Sequence, residues 1–349
     1  MYTREIQPPR SSPIEEGLPL QGTWTRAFDE VDLLDIRQPY GVPLLKGLKD
    51  GRIKEWESFF IQDGRFHLSA MLCNLKTYRT ATVIMYDRED KKLLRFRKII
   101  PGGGWHLPKE LKNGAVDSRS WGFFFRIHSW LEAETIRLDL DVEPKWKRPS
   151  FTAHAEYSVE TDKTTPMAVS LLFAERRSMY AYKVAAPVRG DMVFGGKHIS
   201  FDPELTTGIF CDFKGYYPYR MRSQWCTGTG FDSKGRRFGF SIAENQARES
   251  FRNNENALWV DGKLTPLPPV KITQPRGIES EWIIQDMEGM VDLVFTPQEQ
   301  VRCNVNFIIS RSDYETPLGI YNGVIVNSEG EEITLKNVCG IGEKLYLRV

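Results

Sequence analysis

The sequence predicts an all-β protein made of two antiparallel β-barrels packed against each other. Apolar, aromatic and β-branched segments of strand length are broken by Gly, Asp, Asn and Pro roughly every 8 to 12 residues, which is typical of antiparallel sheets. Helix-length periodic segments are almost absent. At roughly 100 to 200 residues per domain, the 349 residues favour two domains. About nine or ten strands in each half indicate closed or nearly closed barrels, because closure removes exposed sheet edges.

Turn residues predict how neighbouring strands are joined. Asp63-Gly64 lies between two apolar runs, which is a strong hairpin signal, and the polar segment 87–90 predicts a second hairpin. The boundary between the two barrels is expected near residues 195–203. We therefore predict an N-terminal barrel over residues 15–200 and a C-terminal barrel over residues 201–349.

Composition and charge exclude several classes of partner. Lys and Arg number 47 against 46 Asp and Glu, so a net charge of +1 provides no long-range field for nucleic acid or an anionic membrane. The longest apolar runs, 168–173 and 307–309, have the length of strands, far below the ~18 residues of a membrane helix. The first twenty residues contain no apolar signal-peptide core. We expect a cytoplasmic protein without nucleic-acid binding or membrane insertion.

Neither a metal nor a cofactor is predicted. The five cysteines form no C-x-x-C pair, and the five histidines have no ligand spacing. Gly102-Gly103-Gly104 lies between strands and opens no helix, so it is expected to be a loop and not a phosphate cradle. His154, on a predicted strand, is retained as a possible ligand-binding residue.

The strand after residue 220 has unusually small residues on one face. Period two places Cys226, Gly228 and Gly230 on that face. The returning strand again has small residues at 239, 241 and 243. Glycine is unfavourable within a strand, so either another element packs closely there or a ligand occupies the space.

Polar and aromatic residues around this strand are the candidate site. Asp212 and Glu255 are candidate proton-transfer residues, because a buried carboxyl group is suited to acid–base chemistry. The other candidates are hydrogen-bonding or stacking groups that suit an aromatic-lined pocket. These ligand-binding candidates are Tyr216, Tyr219, Arg220, Arg222, Trp225, Asn245, Asn256 and His154.

Several motifs in this order resemble the bacterial family known as domain of unknown function 2804. They are Lys54-Glu-Trp56-Glu, Asp212-x-x-Gly215-Tyr-x-Pro-Tyr219-Arg, Trp225 with its Gly-x-Gly, Gly239-Phe-Ser-Ile, Glu255-Asn256-x-Leu-Trp-x-Asp261-Gly262-Lys, Trp282 and Val291-Asp-Leu-x-Phe295-x-Pro297, ending at Gly340-x-Gly-Glu343. That family is distantly similar to the CrtC/AttH group, which includes carotenoid 1,2-hydratase and two-barrel Diels–Alderases. The resemblance implies two lipocalin-like barrels. It also places Asp212 at the ligand-pocket segment of the hydratases, whose His and Trp are replaced here.

Three functional hypotheses follow. The first is a cofactor-free enzyme of the lyase, hydratase or isomerase type acting on a small or medium organic ligand, with a glycoside hydrolase using paired carboxylates as a variant. In this hypothesis Asp212 or Glu255 transfers protons, and Arg220 or Arg222 stabilises developing negative charge. The second is a lipocalin-like binding protein for an apolar or amphipathic ligand. The third is an interaction protein whose barrels brace each other around filled interiors. The expected partner is a small-molecule or carbohydrate ligand.

Overall fold

The computed structural model describes residues 1–102, 105–145, 149–306 and 311–348. Strands form nearly all of its regular structure, so the all-β prediction is confirmed. The described helical segments are α1 (Lys46–Arg52) and two 3-10 turns, Leu33–Asp35 and Leu131–Ala133. No described helix has the length and hydropathy to span a bilayer. The predicted glycine loop at 102–104 lies partly, and the apolar run 307–309 wholly, outside the described residues.

The first half of the chain forms one large antiparallel sheet and a separate two-stranded pair, β1 with β2. The large sheet has its strands in the order β7-β6-β5-β4-β15-β13-β11-β10-β9-β8, with β3, β12 and β14 beside this path. The strands are β1 (Ile14–Glu15), β2 (Leu18–Pro19), β3 (Gly22–Trp24), β4 (Lys54–Asp63), β5 (Phe66–Asn74), β6 (Tyr78–Asp87), β7 (Lys92–Pro101), β8 (Gly114–Ser120), β9 (Phe123–Trp130), β10 (Thr135–Val142), β11 (Phe151–Ser158), β12 (Met167–Ala174), β13 (Arg177–Phe194), β14 (Lys197–Phe201) and β15 (Thr206–Gly215).

The second half forms another antiparallel sheet, in the order β19-β18-β17-β16-β26-β25-β22-β21-β20, with β23 and β24 beside it. Its strands are β16 (Arg220–Phe231), β17 (Arg237–Glu244), β18 (Ala257–Val260), β19 (Lys263–Pro266), β20 (Val270–Thr273), β21 (Trp282–Asp286), β22 (Val291–Glu299), β23 (Arg302–Asn306), β24 (Arg311–Glu315), β25 (Leu318–Val326) and β26 (Glu332–Arg348).

Strand pairing follows the predicted turns. β4 pairs with β5 across Asp63-Gly64, and β6 pairs with β7 across segment 87–90, so both hairpins are confirmed. β15 is hydrogen-bonded to β13 and β4, so the first sheet extends past the predicted domain boundary at residue 200. The second sheet starts at Arg220.

Each sheet curls around its own apolar core, and a third core lies between the sheets. The first core includes Phe59 and Phe210 and is completed by the segment before β4, through residues such as Phe28 and Ile53. The second barrel has a separate core. The third core combines side chains of both sheets. Strands such as β15 are therefore buried on both faces, and successive residues alternate between two different cores.

A row of glycines explains how the second barrel is filled. Gly228, Gly340 and Gly319 lie directly opposite one another on β16, β26 and β25. Added Cβ atoms there would lie 2.5 to 2.9 Å from the rings of Phe240, Tyr321 and Phe295. These rings contact one another, with centroids 5.0 Å and 4.5 Å apart. Of the two alternatives that the sequence left open at Gly228, close packing is therefore the one that the structure has.

The sequence predicts a face of small residues on β16 and another on β17, but these two faces lie on opposite sides of the sheet. Thr227 and Thr229 pair with Ser241 and Gly239, whereas Gly228 pairs with Phe240. Gly239 and Ser241 consequently lie on the opposite side of the sheet from the glycine row. An added Cβ at Gly239 would lie 3.0 Å from the Ala185 side chain, so this glycine lets the two sheets approach closely.

Replacing Gly340 with Ala is expected to destabilise the protein by about 1–3 kcal/mol through overpacking. The added Cβ would lie 2.4 Å from the Thr227 carbonyl oxygen and 2.5 Å from the Tyr321 ring. Urea unfolding measures the effect. Gly230→Ala is the control, because its Cβ would make only contacts of 3.7 Å or more. That substitution should leave stability unchanged or raise it by up to about 1 kcal/mol. Equal destabilisation by both variants would contradict the packing argument.

Candidate functional site

A cavity lies between the two sheets. One wall comes from β4, β5, β6 and β15, and the other from β16, β24 and β26. The lining is mostly apolar and aromatic, with several hydroxyl side chains, and Arg97 and Glu343 are the charged residues that line it among the described part of the chain. The volume of the cavity that the centre of a water molecule can occupy is about 110 Å³, which is room for several water molecules. The space is thus an apolar chamber with a few polar groups, the usual composition of a ligand pocket.

A buried ion pair joins the two sheets beside this cavity. Lys183 lies in the apolar part of β13, and its Nζ is 2.7 Å from Glu255 Oε2. The same Nζ donates hydrogen bonds of 3.1 Å to Ser241 Oγ and to the backbone carbonyl of Glu255. Lys183 is opposite Cys211 in the strand pairing, which directs its side chain away from the first core. The ammonium group is therefore fixed by three acceptors on the second half of the chain.

Glu255 is the centre of a hydrogen-bonded group. Asn245 Nδ2 donates to Glu255 Oε1 at 2.6 Å, and the Trp225 indole donates to Oε2 at 3.4 Å. Trp225 also packs edge-on against Trp56 and Phe213, with ring centroids 6.4 Å away in both cases. The structure thus brings together three residues that the sequence predicted: Glu255, Asn245 and Trp225.

Glu343 provides a second carboxyl group, and this one, unlike that of Glu255, lines the cavity. It lies opposite Trp225 in the pairing of β26 with β16, and the Tyr314 hydroxyl donates a hydrogen bond to its Oε1. Burial raises the pKa of Glu343 to about 7, while the Tyr314 hydrogen bond and the charge of Lys183 act in the opposite direction. Glu343 keeps some accessible surface because it lines the cavity. A carboxyl group with a pKa near 7 can both give and take a proton at neutral pH.

Asp212 does not lie in this cavity. It is opposite Tyr182 and Glu57 in the strand pairing, so its side chain faces the first core, while its neighbour Cys211 faces the cavity. Lys214 Nζ is 2.7 Å from Asp212 Oδ2. Asp212 and Glu255 are consequently on opposite faces of the first sheet. They cannot flank one glycosidic bond, which corrects the predicted pairing of these two carboxylates.

Asp212 belongs to a different buried cluster with Glu57. Neither oxygen of the Glu57 carboxyl group has a hydrogen-bond partner among the described residues, and Asp212 Oδ1 also lacks one. Burial raises the pKa of both groups, strongly for Glu57, and each is opposed by the positive charge of Lys214. Two buried carboxyl groups beside one ammonium group favour a proton held within the cluster.

The remaining predicted residues are dispersed. Tyr216 is buried in the first core and contacts Tyr40, with ring centroids 6.0 Å apart. Tyr219, Arg220 and Arg222 are exposed, and Arg222 lies over the Tyr346 ring. The structure therefore brings none of these four residues into the cavity, because only alternate residues of a strand face the partner sheet.

Asn256 and His154 have local roles. Asn256 accepts a hydrogen bond from the Ala243 backbone at 2.7 Å and donates one to the Pro268 carbonyl at 2.8 Å, so it fixes the chain next to Glu255. His154 is on the outer surface of the first sheet, where its Nδ1 lies 2.8 Å from Asp139. Neither side chain lines the cavity.

Three residues of the site were missed from the sequence: Lys183, Glu343 and Tyr314. Lys183 carried a signal, since a lysine within the apolar run of β13 requires a buried partner. Glu343 ends the family motif Gly340-x-Gly-Glu343, but no spacing in the sequence connects it to the other candidates, and Tyr314 carried no signal. Among the described residues, no group of three or more His, Cys, Asp or Glu is arranged to hold a metal ion.

Cysteines also reach the cavity, but their thiols are poor nucleophiles. Cys73, Cys211 and Cys303 line it. Burial raises the pKa of Cys73 and Cys211 to about 12 and raises that of Cys303 as well. Since the thiolate is the reactive form, these side chains act as small apolar groups at neutral pH.

Comparison with known proteins agrees with this architecture. The model of the family described as domain of unknown function 2804 matches residues 5–348. No curated protein matches the sequence. The kievitone hydratase structure from Nectria haematococca is similar at 12% identity and a TM-score of 0.51, covering 84% of this chain and 88% of that one. The structure of CghA is similar at 12% identity and a TM-score of 0.53, covering 85% and 88%.

At these identities, the structural matches concern the fold alone, and they confirm two lipocalin-like antiparallel barrels packed against each other. The family match extends over nearly the whole described chain. The protein therefore belongs to the domain of unknown function 2804 family.

Proposed function

We propose that the protein is a cofactor-free enzyme of the lyase or hydratase type, which acts on a small or medium organic ligand in the cavity between the barrels. The observation that carries the proposal is Glu343, a carboxyl group with a pKa of about 7, hydrogen-bonded by Tyr314 in a mostly apolar chamber. The fold resembles that of a protein described as a hydratase, which supports the same reaction class.

The proposed chemistry is addition of water to a carbon–carbon double bond. Neutral Glu343 gives its proton to one carbon, and a water molecule adds its oxygen to the other carbon. The surplus proton of that water then returns to the Glu343 carboxylate, so the enzyme is restored. The reverse sequence eliminates water. General acid–base catalysis of this kind contributes roughly 10²- to 10⁴-fold in rate.

Glu255 is proposed as a second proton-transfer or positioning group. Its carboxylate is held by Lys183, Asn245 and Trp225, so its geometry is fixed before a ligand enters. Trp225 donates a hydrogen bond to Glu255 and also lines the cavity. Its ring offers a stacking surface for an unsaturated ligand.

The test is water addition by purified protein in ¹⁸O-labelled water, using kievitone and a panel of prenylated or conjugated aromatic compounds. Mass spectrometry reports the incorporated oxygen. We expect turnover by the native protein and a loss of about 10²-fold or more in Glu343→Gln, which keeps the shape but not the titrating group. Glu332→Gln, at an exposed position of the same strand, is the matched control. Equal turnover by Glu343→Gln and the native protein would contradict the proposal.

A non-catalytic lipocalin-like binding protein is the second candidate, favoured by the predominantly apolar lining of the cavity. In that case a compound would stabilise the folded native protein without being converted. Thermal-shift measurements on the same compound panel distinguish the two functions. Retention of an unchanged compound by both the native protein and Glu343→Gln supports binding alone.

A further inference from the structure

One cation in the cavity has no anionic partner. Arg97 lies on β7 and lines the cavity, and its Nε is buried without a hydrogen-bond acceptor among the described residues. Its Nη1 donates a hydrogen bond of 3.2 Å to the Arg302 carbonyl oxygen. Among those residues, no carboxylate lies within ion-pair distance of its guanidinium group. The Arg97 side chain as a whole is partly exposed, but this buried N–H donor has no acceptor, so it favours one supplied by a molecule in the cavity.

Strand pairing places Arg97 at the end of the cavity farthest from Lys183. One transverse row of residues crosses six strands of the first sheet with each residue directly opposite the next: Arg97, Thr82, Met71, Ser58, Cys211 and Lys183. Five strand spacings correspond to roughly 24 Å along a flat sheet, and curling shortens the direct distance. Glu255 neutralises the Lys183 end, whereas the Arg97 end keeps its positive charge.

The free edge of the Arg97 guanidinium suits a carboxylate. Nη1 is used by the Arg302 carbonyl, which leaves the edge formed by Nε and Nη2. The same edge of Arg65 binds both oxygens of Asp87, at 2.9 Å and 2.6 Å, elsewhere in this chain. Two parallel N–H donors match the geometry of a carboxylate better than that of a single hydroxyl oxygen.

The distance to the acid group sets the size of the ligand. Arg97 contacts Arg302, and the next residue, Cys303, lies opposite Tyr314, whose hydroxyl donates to Glu343. Two strand spacings, roughly 10 Å, therefore separate the Arg97 contact from the strand of Glu343. The wall between them is apolar, aromatic or hydroxyl-bearing.

We infer that the cavity binds a mostly apolar monocarboxylic acid, with its carboxylate on the Nε–Nη2 edge of Arg97 and its unsaturated part next to Glu343 and Tyr314. This inference rests on the proposed function, because it names the substrate class of the same cavity. It makes Arg97 the residue that selects an acid over the corresponding alcohol, since only the acid places a negative charge on the guanidinium.

The experiment is isothermal titration calorimetry with 4-phenylbutyrate and with 4-phenylbutan-1-ol, which share the apolar part and differ in charge. The native protein should bind the acid more tightly than the alcohol. Arg97→Gln should weaken binding of the acid about tenfold or more and leave the alcohol unchanged. Lys98→Gln, on the opposite face of the same strand, is the control for a general loss of positive charge and should preserve the preference for the acid.

Each of three binding results would overturn the inference: equal affinity of the native protein for both compounds, equal weakening of both by Arg97→Gln, or no saturable binding of the acid at millimolar concentration. Glu343→Gln separates this inference from the proposed reaction. If that variant keeps the preference for the acid while the native protein converts no compound, the carboxylate site stands and the hydratase function fails. If water addition depends on Glu343 but proceeds equally well in Arg97→Gln, the function stands and the assignment of Arg97 fails.

Discussion

Replacing Lys183 with Met should destabilise the protein by about 3–5 kcal/mol, because it leaves the Glu255 carboxylate buried without its cation. The side chains of Lys183 and Glu255 are 0% and 1% exposed, so water cannot replace the lost partner. Urea unfolding at neutral pH measures the effect.

A double variant tests whether the charge or the packing causes this loss. Lys183→Met combined with Glu255→Gln contains no buried charge at this position and should be more stable than Lys183→Met alone. Lys263→Met is the control, since the Lys263–Glu329 pair is more than 60% exposed on both sides and should contribute no more than about 1 kcal/mol. A double variant that is less stable than the single one would show that hydrogen bonding by Glu255 outweighs the charge effect.

The sequence predicted the fold class well because antiparallel strands leave local signals. Asp63-Gly64 specifies a hairpin through the backbone conformations that these residues tolerate, and the strand runs on both sides are apolar. Register within a hairpin follows from such a turn. The position of β15 beside β4 does not, because this pairing joins segments far apart in sequence.

The candidate site was predicted only in part, and burial on both faces of the strands explains the rest. Every residue of β15 is buried, so no alternation of polar and apolar residues indicates which core Asp212 faces. Glu255, Asn245 and Trp225 were found because Trp225 lies on β16 and the other two lie just outside the neighbouring strands β17 and β18. Their cation, Lys183, comes from the other sheet, and only the packing of the two barrels brings it to them.

The glycine-rich strand β16 is a second case in which the local sequence does not show what packs against a strand. Its period correctly separates Gly228 from Trp225, but the rings that fill the space over the glycines come from three other strands. No local pattern shows that Phe240, Tyr321 and Phe295 converge on this row. The cavity therefore lies on the Trp225 side of the strand, where the sheets meet.

Glu343 should make the stability of the protein depend on pH between about 4.5 and 7. Burial raises the pKa of its carboxyl group from 4.5 to about 7 in the folded state. Below pH 4.5 the group is protonated in both the folded and the unfolded chain and has no differential effect. As the pH rises towards 7, the unfolded chain loses this proton while the folded one keeps it, so the free energy of unfolding falls. The shift corresponds to about 3 kcal/mol above pH 7.

Glu343→Gln removes this titration and should therefore be more stable than the native protein, by an amount that grows from near zero at about pH 4 to about 3 kcal/mol above pH 7. Urea unfolding of both proteins across this range gives the difference directly. The subtraction cancels other groups whose pKa is raised, such as Glu57, because they titrate in both proteins. Glu332→Gln, at an exposed position of the same strand, should give a curve parallel to that of the native protein. A parallel curve for Glu343→Gln would instead mean that Glu343 is solvated in the folded state and holds no proton at neutral pH, which would remove the acid on which the proposed chemistry depends.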